Sequence, residues 1–140
     1  MFLIDTNVAS EARRGSRANR GVTRFFQDAK SANHSVYLSV ISIGELRRGI
    51  ELLRHRGDTG AGNVLEDWLT DVLQDYQSRI LDFDEEASQV WGRLCVPDPA
   101  HAIDKQIAAI ALVNDLTLVT RNTADFARAG AKLLNPFIAA

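Results

Sequence analysis

The sequence is poor in the residues that staple, bridge or interrupt a chain. A single cysteine, Cys95, stands among 140 residues, which excludes an intrachain disulfide and any cysteine-rich zinc cluster. With no basic group beside it to activate a thiolate, Cys95 reads as a small packed side chain rather than a nucleophile. Three histidines, His34, His55 and His101, show no metal-ligand spacing and read as surface or structural groups. The three prolines and nine glycines form no Pro/Gly/Ser linker, and no repeat or low-complexity tract appears. The longest apolar run, Ile107 to Val113, is far too short to span a bilayer. The start, Met1-Phe2-Leu3-Ile4-Asp5, lacks the basic residues and apolar stretch of a secretory leader. The expectation is a reduced, soluble, cytoplasmic protein with no membrane partner, folded as one domain over residues 1–140.

What is present fits that class. Apolar residues make up 46% and charged residues 24%, the proportions of a globular domain. A chain of this length can bury about two-thirds of its unfolded surface. The net charge of −2 conceals an uneven distribution: residues 1–56 carry ten Lys/Arg against five Asp/Glu, and residues 57–104 carry two against eleven. Thirteen of the sixteen basic residues are arginine, five of them between Arg13 and Arg24. Such a cluster suits phosphate recognition. It equally suits a solvated helix face, and charge alone does not separate the two.

Short apolar segments alternate with amphipathic ones. Phe2–Ile4, Val36–Leu38, Ile80–Phe83, Leu116–Thr120 and Lys132–Leu134 read as strands. Helical spacing predicts helices over Val8–Arg14, around Val22–Ala29, from Ser39 or Ser42 to about Arg56, over Val64–Tyr76, Glu85–Leu94 and Asp104–Val113, and near Ala124–Ala129. Gly57–Gly62 reads as a loop, and Pro97-Asp98-Pro99 as a break. Trp68 and Trp91 fall on apolar helix faces as core or interface residues. The pattern predicts a three-layer α/β/α fold around a mostly parallel sheet of four to five strands. In such sheets, functional groups gather beyond the carboxyl ends of the strands.

Acids occupy those places. Asp5 ends the first strand, Glu45 lies early in the helix after the second, Asp104 opens the helix leading into the fourth, and Asp125 follows that strand. Each has an ordinary explanation: Asp5, Asp104 and Asp125 as helix caps, and Glu45 as the capping-box partner of Ser42. Four together at one sheet edge are harder to explain that way, because like charges repel and raise one another's pKa unless a cation offsets them. An all-oxygen ligand set selects Mg²⁺ or Mn²⁺ over zinc, and such an ion supports hydrolysis of a phosphodiester by activated water. Thr6, Asn7, Thr120 and Asn122 can orient the carboxylates or contact phosphate, though as turn and cap residues they are also unremarkable.

The motifs Leu3-Ile4-Asp5-Thr6-Asn7-Val8, Ser39-Val40-Ile41-Ser42-Ile43-Gly44-Glu45-Leu46-Arg47-Arg48-Gly49, Asp104-Lys105-Gln106-Ile107-Ala108-Ala109-Ile110-Ala111 and Thr120-Arg121-Asn122-Thr123-Ala124-Asp125-Phe126, in that order, resemble those of the PIN-domain nucleases. Within that family the closing Asn135-Pro136-Phe137 is similar to the end of the small VapC and FitB-type toxins. The resemblance covers nearly the whole chain. It implies that Asp5, Glu45, Asp104 and Asp125 are an acidic quartet binding Mg²⁺, with Mn²⁺ able to substitute, for RNA hydrolysis. Thr120 matches the family's hydroxyl after the fourth strand, and Asn122 its polar neighbour. It further implies a homodimer and a small antitoxin whose basic tail enters the acidic pocket and whose other end binds operator DNA. Lys105 and Gln106 stand where the family more often has small or apolar residues, which bears on substrate preference. Two other classes fit parts of the pattern: a non-catalytic domain whose acidic pocket docks a basic peptide, and a haloacid dehalogenase-type phosphatase. The latter needs a second aspartate two residues after Asp5, where Asn7 stands.

Overall fold

Successive residues of the first strand enter different cores. Leu3 packs with Ile107–Ala111, Leu118 and Phe126 on one face of the sheet, while Ile4 packs with Val8, Val22, Phe25, Leu38 and Val119 on the other. Side chains alternate across a strand, so a segment apolar at consecutive positions must be covered on both sides. The computed structural model describes residues 1–139. Its five strands are β1 (Phe2–Ile4), β2 (Val36–Ser39), β3 (Ile80–Leu81), β4 (Thr117–Val119) and β5 (Leu133–Leu134). All pair in parallel in the order β3-β2-β1-β4-β5. Helices α1 (Thr6–Ala12), α2 (Arg20–Ser31) and α4 (Thr59–Asp75) cover the Ile4 face, and α5 (Glu85–Leu94) and α6 (Ala102–Val113) cover the Leu3 face. Helix α3 (Val40–His55) packs along α4. The expected three-layer α/β/α fold is therefore the observed one.

The chain steps outward from β1 through β2 to β3, then crosses to β4 and β5 on the other side of β1. The direction reverses between β1 and β4, which opens a crevice beyond their carboxyl ends. Asp5 follows β1 there, and Thr120 follows β4.

Several boundaries differ from those expected. The segment Gly57–Gly62 is not a loop throughout: α4 starts at Thr59, capped by Asp58, whose side chain accepts from the Ala61 N–H at 3.2 Å. Gly62 is there for close packing, since a Cβ at this position would lie 2.9 Å from Cγ of Arg54 on α3. Strand β3 stops at Leu81 rather than Phe83, because Asp84 turns away to cap α5 by accepting from the Ala87 N–H at 2.9 Å. Helix α1 begins at Thr6, two residues before Val8. Asp104 is the third residue of α6, not its opening one. The last helix divides into α7 (Thr123–Phe126) and a 3₁₀ turn, Ala127–Ala129.

The C-terminal segment is held by α2. The Asn19 side chain donates to the Ile138 carbonyl at 2.8 Å and accepts from the Ile138 N–H at 3.1 Å. Gly21 lies so close to this segment that a Cβ would sit 1.9 Å from the Pro136 carbonyl oxygen. A backbone atom cannot yield as a flexible side chain does. Gly21→Ala is accordingly expected to lose about 1–3 kcal/mol and to lower the thermal midpoint by roughly 3–9 °C. Thermal unfolding followed by circular dichroism measures it, and an unchanged midpoint would show that the segment is not clamped there.

Candidate functional site

Asp5 is 3% exposed although it carries a carboxylate. Its position follows from local structure: as the residue before α1 it accepts the Thr6 N–H on Oδ1 at 2.8 Å. The capping explanation offered by the sequence is thus correct for Asp5, but it uses only one oxygen. On Oδ2 it accepts from the Thr120 hydroxyl at 2.7 Å and from Asn7 Nδ2 at 3.2 Å. Burial pushes the carboxyl above the usual range. The Thr120 and Thr6 bonds oppose that shift, nearby Glu45 adds to it, and Asn7 opposes it again.

Glu45 lies in α3, but not as the partner of a Ser42 cap. Ser39 is the cap, accepting from the Ser42 N–H at 3.1 Å, so Glu45 is one turn too far along to complete a box. Its side chain instead turns to the neighbouring helix, where Oε1 accepts from the Thr6 hydroxyl at 2.6 Å. The same hydroxyl lies 2.9 Å from Ser42 Oγ, which is buried. The Thr6–Ser42–Glu45 contacts join α1 to α3 across the end of the sheet.

Asp104, in the first turn of α6, makes no capping bond. Its carboxyl is raised chiefly by burial, then by Asp5, Glu45 and Asp125, with His101 opposing. One side chain thus feels all three of the other acids. Asp5, Glu45 and Asp104, with Thr6, Asn7, Ser10 and Asn122, line one open pocket of about 540 Å³. Asp125 is exposed and does not line that pocket. It borders an adjoining one of about 530 Å³ with His101, Lys105, Arg93 and Arg128. The structure therefore brings the four acids together with Asp104 as the hub, three around one pocket and Asp125 on its outer side. Thr120 is fully buried, and its oxygen also accepts the Asn122 N–H at 3.0 Å. The Asn122 side chain lies at the pocket and makes no capping bond to α7.

The basic residues do not neutralise this cluster. Among the described residues no Lys or Arg is within ion-pair distance of Asp5, Glu45, Asp104 or Asp125. Arg14 reaches the pocket rim but pairs with Glu11 at 3.3 Å. Arg47 is bound to Glu66 in a forked pair at 2.6 and 2.7 Å, and Arg54 joins it at 3.1 Å. The two guanidiniums hold the Glu66 carboxyl down to about 2. Arg47 thus stitches α3 to α4 rather than facing the pocket. A set of uncompensated carboxylates, one of them buried and fixed by three donors, fits a hard divalent cation.

His101 was not expected here. One of its nitrogens, an Asp104 oxygen and an Asp125 oxygen all lie within 4.8 Å of one another. The three-residue spacing gave no usable signal, because His101 precedes α6 in the left-handed region and is brought beside Asp104 by that turn rather than by a shared helix face.

Thr120→Val keeps the shape and removes the hydroxyl. It is expected to raise the Asp5 carboxyl further, to leave the Asn122 N–H unpaired and to lower stability by about 1–2 kcal/mol. Chemical denaturation measures this, and a variant as stable as the parent would show that the Thr120–Asp5 bond contributes nothing.

The three-layer fold around a parallel sheet is that of the PIN-domain family, and the chain belongs to it: the PIN domain model matches residues 2–132. Among its relatives, the plasmid stability protein StbB of Pseudomonas syringae pv. tomato is 36% identical over 144 residues, covering 98% of this chain and 99% of StbB. Toxin FitB of Neisseria gonorrhoeae is 34% identical, over 98% of this chain and 99% of FitB. The crystal structure of FitAcB from the same organism superposes with a TM-score of 0.81, covering 97% of this chain and 98% of that one. The VapC ribonuclease Y4jK of Sinorhizobium fredii is 32% identical over 98% of each chain.

Proposed function

We propose that this PIN domain is the toxin of a toxin–antitoxin pair. On this reading it is a Mg²⁺-dependent ribonuclease of the cytoplasm that hydrolyses RNA phosphodiester bonds, with Mn²⁺ able to replace Mg²⁺. The observation that carries the proposal is Asp5: a carboxylate almost fully buried, held by three donors, facing Glu45 and Asp104, with no cationic side chain to offset it. Such a group is destabilising unless something binds it. The names of FitB and Y4jK, relatives along nearly their whole length, support the toxin and ribonuclease parts of the reading.

In this reading Asp5, Glu45, Asp104 and Asp125 hold the cation. When bound, a divalent cation acidifies a water for attack on phosphorus and offsets the charge that develops on the phosphate oxygens. The chain supplies orientation. Thr6, Asn7 and Thr120 fix both Asp5 oxygens, so that this ligand pays little ordering entropy on binding. The Thr6 hydroxyl fixes Glu45 through Oε1 and leaves Oε2 for water or cation. Ser10 and Asn122, on the rim, are placed to contact phosphate oxygens. Arg93, Lys105 and Arg128, around the adjoining pocket, offer positive charge to the RNA strand beyond the scissile bond.

The partner reading is a homodimer bound by an antitoxin that inhibits with a basic tail and reaches operator DNA through its other end. An apolar groove of about 240 Å³, lined by Ala9, Phe26, Trp68, Val72 and Tyr76, supports it. Trp68 also borders the cavity that holds Thr6 and Glu45, so an apolar segment in the groove would lie next to the acidic pocket. Transcriptome-wide mapping of RNA 5′ ends after induction tests the function. New ends should appear with the parent chain and not with Asp5→Asn. Identical maps for the two would refute it.

A further inference from the structure

His101 occupies a backbone conformation that histidine adopts at a cost. It precedes α6 with φ 56° and ψ 43°, in the left-handed region, where the β-carbon crowds the backbone and glycine or asparagine is better suited. Capping does not account for the histidine, because its side chain makes no bond to the helix. Packing does not either, because the side chain is 55% exposed.

The direction of the ring is the informative feature. Nδ1 lies 4.0 Å from Asp104 Oδ2, and a ring nitrogen, an Asp104 oxygen and an Asp125 oxygen fall within 4.8 Å of one another. His101 and Asp125 are exposed and Asp104 is partly so, and their three donor atoms are grouped closely enough to hold one ion. His101 and Asp125 border the pocket of about 530 Å³ that admits solvent, whose lining also carries Arg93, Lys105 and Arg128, while Asp104 lines the pocket it shares with Asp5. Two carboxylates and one imidazole form a donor set different from the all-oxygen set around Asp5. Magnesium prefers oxygen and water, whereas manganese and later divalent metals also accept imidazole nitrogen.

We propose that His101 is a metal ligand that joins Asp104 and Asp125 in a subsite favouring Mn²⁺ over Mg²⁺. The inference rests on the reading that Asp104 and Asp125 hold a divalent cation. It goes beyond that reading by adding a nitrogen donor and a metal preference. In this chain Mn²⁺ is then the better-bound ion, and Asp104 is the ligand common to the inner and outer parts of the site.

The test uses the purified full chain with Mn²⁺, measured by electron paramagnetic resonance, and Mg²⁺, measured by its displacement of Mn²⁺. Pulsed spectra of the Mn²⁺-loaded parent should show coupling to a directly bound imidazole nitrogen. His101→Asn keeps a residue suited to the left-handed backbone and removes the ring. It should lose that coupling and bind Mn²⁺ about tenfold more weakly, with Mg²⁺ affinity changed less than about twofold. Parent spectra without nitrogen coupling, or an unchanged Mn²⁺ to Mg²⁺ preference in His101→Asn, would overturn the inference while leaving the acidic site standing. Mn²⁺ binding that survives in Asp104→Asn would overturn the acidic site as well. The other two histidines do not confuse the signal, because coupling from either would persist in His101→Asn.

Discussion

Asp5→Asn should abolish RNA cleavage, by about 10³-fold or more, which corresponds to a loss of about 4 kcal/mol of transition-state stabilisation. The substitution keeps Oδ1 as acceptor for the Thr6 N–H, so α1 retains its cap. It removes one negative charge and places an amide N–H₂ where Oδ2 now accepts from Thr120 and Asn7. The Thr120 hydroxyl can rotate to accept, but Asn7 must turn its own amide. The ligand is lost while the surrounding packing of Leu3, Ile4 and Val119 is untouched. Cleavage of RNA by the antitoxin-free protein, measured beside the circular dichroism of both chains, checks this. A folded Asp5→Asn variant that cuts within about threefold of the parent rate would contradict the assignment of Asp5 as a catalytic ligand.

Asp104→Asn should make the metal-free protein harder to unfold. Burial and three neighbouring carboxylates raise the Asp104 carboxyl, so ionised Asp104 opposes folding, and the neutral amide removes that opposition. The thermal midpoint of the metal-free variant should therefore rise above that of the parent. The pH dependence has the same origin. Asp5 and Asp104 both bind a proton more tightly folded than unfolded. The metal-free protein therefore gains stability as pH falls from neutral through their raised folded values toward the unfolded value near 3.8, and loses it as pH rises again. Glu66 works in the opposite direction. Held at about 2 by Arg47 and Arg54, it favours folding above its unfolded value of 4.5 and ceases to do so as pH falls toward 2. Asp5 and Asp104 thus favour mildly acidic solution in the metal-free parent, and Asp104→Asn should flatten the neutral side of the profile. Saturating Mg²⁺ should stabilise the parent by mass action, by about 2.7 kcal/mol at a hundred times its dissociation constant, and stabilise the variant much less. A midpoint that falls in metal-free Asp104→Asn would show that the carboxylate supports the fold.

The fold was legible in the sequence because its strands are buried on both faces. Phe2–Ile4 is a continuous apolar segment, Leu116–Thr120 is apolar except at its two threonines, and Ile107–Ala111 is apolar all round its helix. Such segments must be covered on every side, the strands as the middle layer of an α/β/α stack and the helix between the sheet and its neighbouring helices. Asp5 and Asp104 were legible because each stands beside such a segment, and Glu45 and Asp125 because each follows a strand. What the sequence hid was set by contacts between distant elements. Gly60 and Gly62 have the composition of a turn, yet α4 runs through them because α3 packs so closely that Arg54 leaves no room for a Cβ at position 62. Glu45 has the spacing of a capping-box partner, but Ser39 caps first and the Thr6 hydroxyl claims the side chain. His101 looked isolated because its three-residue spacing to Asp104 matters only once a left-handed residue turns the ring toward α7. Asp125 lies close to Asp104, but its position outside the pocket of the other three acids depends on how α7 leaves β4, which no local pattern encodes.

The gathering of the acids around a cation is tested most directly by diffraction from crystals grown with Mn²⁺, using the anomalous signal of the metal. The account predicts a peak in the crevice between β1 and β4, within about 2.3 Å of carboxylate oxygens from both Asp5 and Asp104. A map with no peak in the crevice, or with manganese bound only by groups other than these two, would contradict it.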